Sequence, residues 1–153
     1  MRTLIIVSAL GLLAAATTTS AQPRPMTTLD LISIDRVSDP QVSPDGSRVT
    51  FVLSELDLEA DGRSTDLWIT NVAGGTPRRL TTDPAGDFAP RWSPDGDTLY
   101  FLSTRSGSSQ VWRLNPNGGA PEAVTDLPLS VADLTVSPDG RSLAVSIEVF
   151  TDC

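Results

Sequence analysis

The chain has 153 residues, with 19 acids set against 11 arginines and no lysine or histidine, for a formal net charge of −8 at pH 7. Such a surface repels phosphate backbones and argues against a nucleic-acid partner. Without histidine or lysine this chain assembles neither a Ser-His-Asp triad nor a Ser-Lys pair, and one cysteine without histidine leaves no zinc site of ordinary composition.

The first segment has the marks of export. Met1-Arg2 is a short positive start, Leu4–Ala16 is an apolar run of 13 residues, and Thr19 and Ala21 are small residues at the positions a signal peptidase reads. The run is too short for a transmembrane helix. Residues 1–21 are therefore expected to be a signal peptide cleaved after Ala21, leaving a periplasmic or secreted product with no membrane span. Export normally permits disulfides, but Cys153 is the sole cysteine and has no partner in the chain.

Residues 22–36 read as a linker and a short helix. Thr27 or Thr28 is the expected N-cap, Asp30 falls in the first turn, and Leu29, Ile32 and Ile34 are expected to supply apolar contacts.

From residue 37 the chain repeats. "DLWITNVAGGTPRRLTT" around Trp68 matches "QVWRLNPNGGAPEAVTD" around Trp112, 44 residues later. Each Trp is followed by Gly-Gly at six and seven residues, then Pro, then an apolar residue and Thr at twelve and thirteen. Trp92 and Val136 keep the same spacing, each directly before an "SPDG", which also occurs at Ser43–Gly46. Only the span from "SPDG" to Trp varies, 25 residues in the first unit and 19 in the second. The extra residues fall in "ELDLEADGRS", which reads as a longer hairpin loop. In the second unit "FAPRWS", "TLYFLS", "QVWRLN" and "EAVT" are strand candidates, and the alternation of Leu99 and Phe101 predicts half-buried strands. Four strands every 44 residues is the period of a propeller blade. The expected fold is all-β: an incomplete β-propeller of about two and a half four-stranded blades, covering about residues 37–83, 84–127 and a truncated 128–153, after the signal peptide and short helix.

The thrice-repeated "SPDG" suits a turn between the first and second strands of each blade. Pro pre-sets φ, Asp suits the next position, and Gly takes the left-handed conformation while the Ser or Asp oxygen accepts a local hydrogen bond. A ligand role would need the copies to converge, and copies on successive blades are expected to lie well apart. Trp68 and Trp112, at equivalent places in a third strand, are expected to pack between blades. Asp57, Glu59, Asp61 and Gly62 mimic the start of an EF-hand loop, but the twelfth position is Trp68 rather than a bidentate Glu. "SGSSQ" at 106–110 lacks the Gly-x-Ser-x-Gly elbow and reads as a hairpin loop. No catalytic, cofactor-binding or metal-binding residue is assigned, and no cofactor is expected.

The stretch "TTLDLISIDRVSDPQVSPDGSRVTFVLSELD", followed by "RWSPDG", "YFLSTRSGSSQVWRL" and "SLAVSIEVF", resembles the start of secreted bacterial serine peptidases of the prolyl oligopeptidase family. The likeness is to the acylaminoacyl-peptidase and dipeptidyl-peptidase-like branch. That resemblance implies an N-terminal propeller restricting access to an α/β-hydrolase domain that carries Ser, Asp and His. None of those catalytic residues falls on a position of this chain, so a peptide substrate is expected only through a domain this sequence lacks. The sequence breaks off within the third repeat and is expected to be a truncated product, with an open propeller edge prone to self-association. The alternative is a non-enzymatic TolB-like periplasmic binding propeller, since such proteins also use "SPDG". They usually place a small domain before the propeller, whereas here the repeats begin soon after the expected cleavage site.

Overall fold

The computed structural model describes residues 24–57 and 61–149. The expected signal peptide, Glu59 and Cys153 lie outside the described residues. No helix among the described residues is long and apolar enough to cross a membrane.

Helix α1 spans Thr28–Ile32, with Thr27 as N-cap in a reciprocal capping box with Asp30. The Arg24 guanidinium donates to both Asp30 oxygens at 2.6 Å. The expected apolar contacts do not form: Leu29, Ile32 and Ile34 are all exposed. Five residues cannot bury a stripe, and the segment is held instead by hydrogen bonds from Arg63 to Ile32 O at 3.0 Å and Ile34 O at 2.7 Å.

Ten strands follow in three antiparallel sheets. The first contains β1 (Arg36–Val42), β2 (Arg48–Asp57), β3 (Gly62–Asn71) and β4 (Arg78–Arg79), paired in that order. The second repeats the pattern with β5 (Asp87–Trp92), β6 (Leu99–Ser103), β7 (Gln110–Leu114) and β8 (Glu122–Ala123). The third is the pair β9 (Val131–Val136) and β10 (Leu143–Ile147). β1 packs near β5 and β5 near β9, while β4 and β8 make no comparable approach. The sheets therefore fan outward from their first strands, as the blades of an all-β propeller do.

Two apolar layers fill the gaps. Val52 and Leu67 of the first sheet meet Leu99, Phe101 and Leu114 of the second, with Trp92 and Trp112 packed alongside. Leu102 and Val111 meet Val131 and Leu134 of the third, with Leu143 and Val145 at the margin. β6 is thus buried on both faces, with Leu99, Phe101 and Leu102 all at 0 % exposure. Half-burial was the expectation, and it describes β10, which has a neighbour on one side only. In the first sheet Phe51 and Trp68 are cross-strand partners on the face opposite Val52 and Leu67, and both remain partly exposed. Trp112 therefore packs between blades as expected, while Trp68 stands outside both layers. The Nε1–H groups of both tryptophans are buried without a hydrogen-bond partner among the described residues.

At its two ends the "ELDLEADGRS" insertion is strand rather than loop, over 55–57 and 62–64. β2 and β3 run in unbroken register from Arg48↔Asn71 to Asp57↔Gly62, so the added residues lengthen the hairpin itself. Alternating Ser, Thr, Glu and Arg suit a two-stranded ribbon wet on both faces. Asp57 and Gly62, the first and last residues of the EF-hand mimic, are paired in the ladder and so belong to a hairpin rather than to a twelve-residue ion loop.

Thr at the thirteenth place after each Trp has a shared physical cause. Thr81 Oγ1 accepts from Leu67 N at 3.0 Å and donates to the buried Asp66 at 3.3 Å. In the second sheet Thr125 Oγ1 accepts from Val111 N at 2.9 Å and donates to Gln110 Oε1 at 2.8 Å. Each hydroxyl locks the departing chain onto the third strand, Thr81 at a buried position and Thr125 at a half-buried one. Arg79 pairs with Asp66, while Gln110 serves both Leu127 N and Leu127 O.

Candidate functional site

The "SPDG" turns are the most uniform feature. Gly46, Gly96 and Gly140 have φ of 71°, 76° and 68°, and each glycine N–H reaches back to the serine carbonyl at 2.8–2.9 Å. Ser43, Ser93 and Ser137 each donate Oγ–H to the motif Asp at 2.6, 2.5 and 2.6 Å. Each Oγ also accepts, at 2.9 Å, the N–H five residues on. Bonds to Ser43 and then Ser47 hold the Asp45 carboxyl down at about 2. Asp95 and Asp139 are also lowered, chiefly by Ser93 and Ser137. The serine hydroxyl and a carboxylate oxygen of each motif are thus employed inside their own turn, as a structural role requires. One premise fails: the copies are not far apart. Pro44 packs on Gly96, whose Cβ position lies 3.6 Å from Pro44 Cδ, and Pro94 packs on Gly140 at 3.3 Å. The turns stack because they follow the innermost strands, where successive blades are closest.

Those innermost strands carry the cluster that sequence reasoning missed. β1 and β5 each contain a bulge, between Ser38 and Gln41 and between Phe88 and Arg91. The residue before each bulge proline has positive φ, 44° at Asp39 and 52° at Ala89. Neither is glycine, so the packing around them sustains a conformation that costs on the order of 1 kcal/mol. The bulge presents Asp39 to the neighbouring blade, where Arg91 Nη1 donates to Asp39 Oδ2 at 2.8 Å. Arg91 Nη2 meets Asp133 Oδ1 of β9 at 3.5 Å, so one guanidinium links all three inner strands. Gln41 Nε2 donates to Asp39 Oδ1 at 2.6 Å, and Trp92 Nε1 donates to Gln41 O at 3.1 Å. The groups are partly exposed, so each pair contributes about 1 kcal/mol or less. The only sequence signal was the pair of X-Pro dipeptides, Asp39-Pro40 and Ala89-Pro90, at matching places in "SDPQVS" and "FAPRWS".

Two carboxylates around one guanidinium give this axial edge a net negative charge. Both carboxylates face Arg91, Asp39 at 2.8 Å and Asp133 at 3.5 Å. Among the described residues no three His, Cys, Asp or Glu side chains converge as a metal site. The serines of "SGSSQ" are structural in use: Ser109 Oγ donates to Val131 O at 2.8 Å, and Ser108 Oγ accepts from Gln110 Nε2 at 3.1 Å. The second sheet has one more buried ion pair, Asp87 with Arg105 at 2.8 and 2.7 Å, whose guanidinium also lies over Trp112 at 4.9 Å.

Four-stranded antiparallel sheets fanned about their first strands, joined there by stacked turns and a shared arginine, define a β-propeller fragment. The chain belongs to the TolB beta propeller domain family, whose sequence pattern matches residues 33–149. Among curated relatives it is similar to an uncharacterised peptidase, YuxL, of Bacillus subtilis, at 37% identity over 127 residues. That match covers 78% of this chain and 18% of the relative. It is also similar to dipeptidyl-peptidase 5 of Porphyromonas gingivalis, at 36% identity over 118 residues, covering 77% of this chain and 17% of the relative. Among solved structures it is similar to a putative TolB from Agrobacterium tumefaciens, with a TM-score of 0.57 and 29% identity, covering 68% of this chain and 35% of that one. The chain therefore spans less than a fifth of the length of the two peptidases it matches.

Proposed function

We propose that this chain is the propeller portion of an exported serine peptidase, serving to restrict which peptides reach a separate hydrolase domain. The observation that carries the reading is the 37% identity with a peptidase, sustained over 127 residues. In this reading the axial edge formed by Asp39, Arg91 and Asp133 is part of the wall past which substrate travels. The chemistry belongs elsewhere: a Gly-x-Ser-x-Gly elbow, then Asp, then His, in α/β-hydrolase order. Export rests on the apolar run Leu4–Ala16 and the small residues that follow it.

A second reading, a non-enzymatic TolB-like binding propeller of the cell envelope, is favoured by the family pattern and by the 29% identity with a putative TolB. The coding frame beyond Cys153 separates the two. The peptidase reading expects the remaining blades and then the elbow, with the product of the full frame cleaving fluorogenic dipeptide or acyl-amino-acid substrates. The 153-residue chain itself is expected to show no turnover. A frame that closes the propeller and stops would overturn the peptidase reading in favour of the binding protein.

A further inference from the structure

The two complete blades build the same cleft twice, and they charge it differently. In the first blade the end of β3, the β3–β4 turn and Arg78 enclose a cavity of about 300 Å³ together with Arg48. In the second blade the repeat-equivalent positions enclose about 370 Å³. Arg48 is replaced there by Thr98 and Arg78 by Glu122, and Asp97 joins the lining. In the second cleft Arg113 pairs with Glu122 at 2.8 Å, and with Asp97 beside them the lining carries more acid than base. The first has two arginines and no acid in its lining.

Neither arginine is neutralised. Arg48 Nη1 donates to Asn117 Oδ1 at 3.0 Å, and its guanidinium lies over Trp92 at 5.0 Å. Arg78 Nη2 donates to Pro116 O at 2.6 Å. Both thus grip the β7–β8 turn of the next blade through neutral oxygens, and neither forms an ion pair among the described residues. Each guanidinium has five N–H donors, so most remain available beside a cleft that also offers Thr70, Thr76 and the Asn117 side chain. Arg48 acts on Asp45 through charge alone, and that carboxylate is already bound by Ser43 and Ser47. On a chain of net charge −8, two uncompensated guanidiniums at one cavity are a local inversion of sign.

We propose that the cleft between the first and second blades, lined by Arg48, Arg78 and Asn117, binds a small oxyanion, a carboxylate or a phosphate. The planar fork of each guanidinium matches either group in a bidentate manner, and the clasp on the β7–β8 turn holds both forks in place before the ligand arrives. The site is independent of the peptidase reading and stands or falls without it.

The test uses the full chain and two probes, inorganic phosphate and succinate, with chloride at matched ionic strength as the screening control. Chemical shifts of the Asn117 side-chain amide and the Arg48 and Arg78 Nε–H groups are followed by NMR. Saturable movement with one or both probes, at a dissociation constant of roughly 1 mM and absent with chloride, is the expected result. The stronger probe identifies which oxyanion the site prefers. Arg78→Glu, which installs the residue the second blade carries, is expected to weaken binding by at least about tenfold. Asn117→Asp keeps a partner for Arg48 while placing a carboxylate in the cleft, and is expected to abolish binding without unfolding the chain. Movement that is unsaturable, equal with chloride, or unchanged in Asn117→Asp would overturn the proposal.

Discussion

The first and second blades are built to one register yet differ in how they are supported. The second is covered on both sides, and in its β6 Leu99, Phe101 and Leu102 are all sealed while Tyr100 alone is partly exposed. The first is covered on one side, so Val52 and Leu67 are buried while Phe51, the counterpart of the sealed Phe101, stays partly exposed, and Trp68 packs in neither apolar layer where Trp112 joins one. It compensates locally with a hairpin ten residues long in each strand and with Arg63, which gathers Ser54, Ile32 and Ile34. Equivalent sequence positions therefore do not have equivalent energetic weight. Position within the fan sets it.

The largest test of that difference is truncation of the paired phenylalanines. Phe101→Ala opens a cavity in a sealed layer and is expected to cost about 3–5 kcal/mol in urea unfolding. Phe51→Ala, with solvent already at its ring, is expected to cost roughly 1–2 kcal/mol. Equal costs would show that the two blades are equally supported.

The threonine locks give a smaller effect with the opposite ranking. Thr81→Val and Thr125→Val each leave a buried N–H without its acceptor, for about 1–3 kcal/mol. Thr81→Val should be the worse, because its hydroxyl also serves the Asp66 carboxylate, whereas Thr125 serves the neutral amide of Gln110. Thermal melts of the two single variants compare them directly.

The "SPDG" glycines sharpen the comparison along the stack. Alanine at any of the three must adopt positive φ, for about 1 kcal/mol. Gly46 has open space around its Cβ position, Gly96 meets Pro44 at 3.6 Å and Gly140 meets Pro94 at 3.3 Å. The expected order of loss is thus Gly140→Ala, then Gly96→Ala, then Gly46→Ala.

The smallest effect is on acid stability. The motif carboxyls titrate lower in the folded chain than the ordinary value of 3.8. Their stabilising contribution is therefore complete above that value and fades as pH falls through the folded one, near 2 for Asp45. Asp45 has two serine hydroxyls, from Ser43 and Ser47, where Asp95 has Ser93 alone. NMR titration should find Asp45 ionising at lower pH than Asp95, and Ser47→Ala should narrow the gap.

Much of this fold was legible because a propeller repeats its constraints. The spacing from Trp68 to Trp112 located the third strands, and "SPDG" announced its own turn, Gly φ included. The short outer strands were overestimated, since "EAVT" yields only Glu122–Ala123 and the next residues are taken by the Thr125 lock. "ELDLEADGRS" looked like a loop because polarity was read as irregularity, whereas a ribbon wet on both faces is equally polar. The axial cluster left only the repeated X-Pro dipeptides, Asp39-Pro40 and Ala89-Pro90, as a mark in the sequence. Asp39 and Asp133 each lie four residues before an "SPDG" and Arg91 two before the next one, and only the bulges and the fan of the strands bring the three together. The dibasic cleft was hidden for a similar reason, because Asn117 comes from the blade after the one that supplies Arg48 and Arg78.

The proline-on-glycine stack bears on how such a chain diverges. Once Pro44 rests against Gly96 and Pro94 against Gly140, a repeat unit is no longer free to drift alone. A side chain added at Gly96 is tested by its own turn and again by the proline one blade earlier, so compensation requires changes in two units together. Duplicated blades joined this way should lose their shared motif last at the axis and first at the rim. The rim is where Arg78 and Glu122 already differ while the turns beside them still read alike.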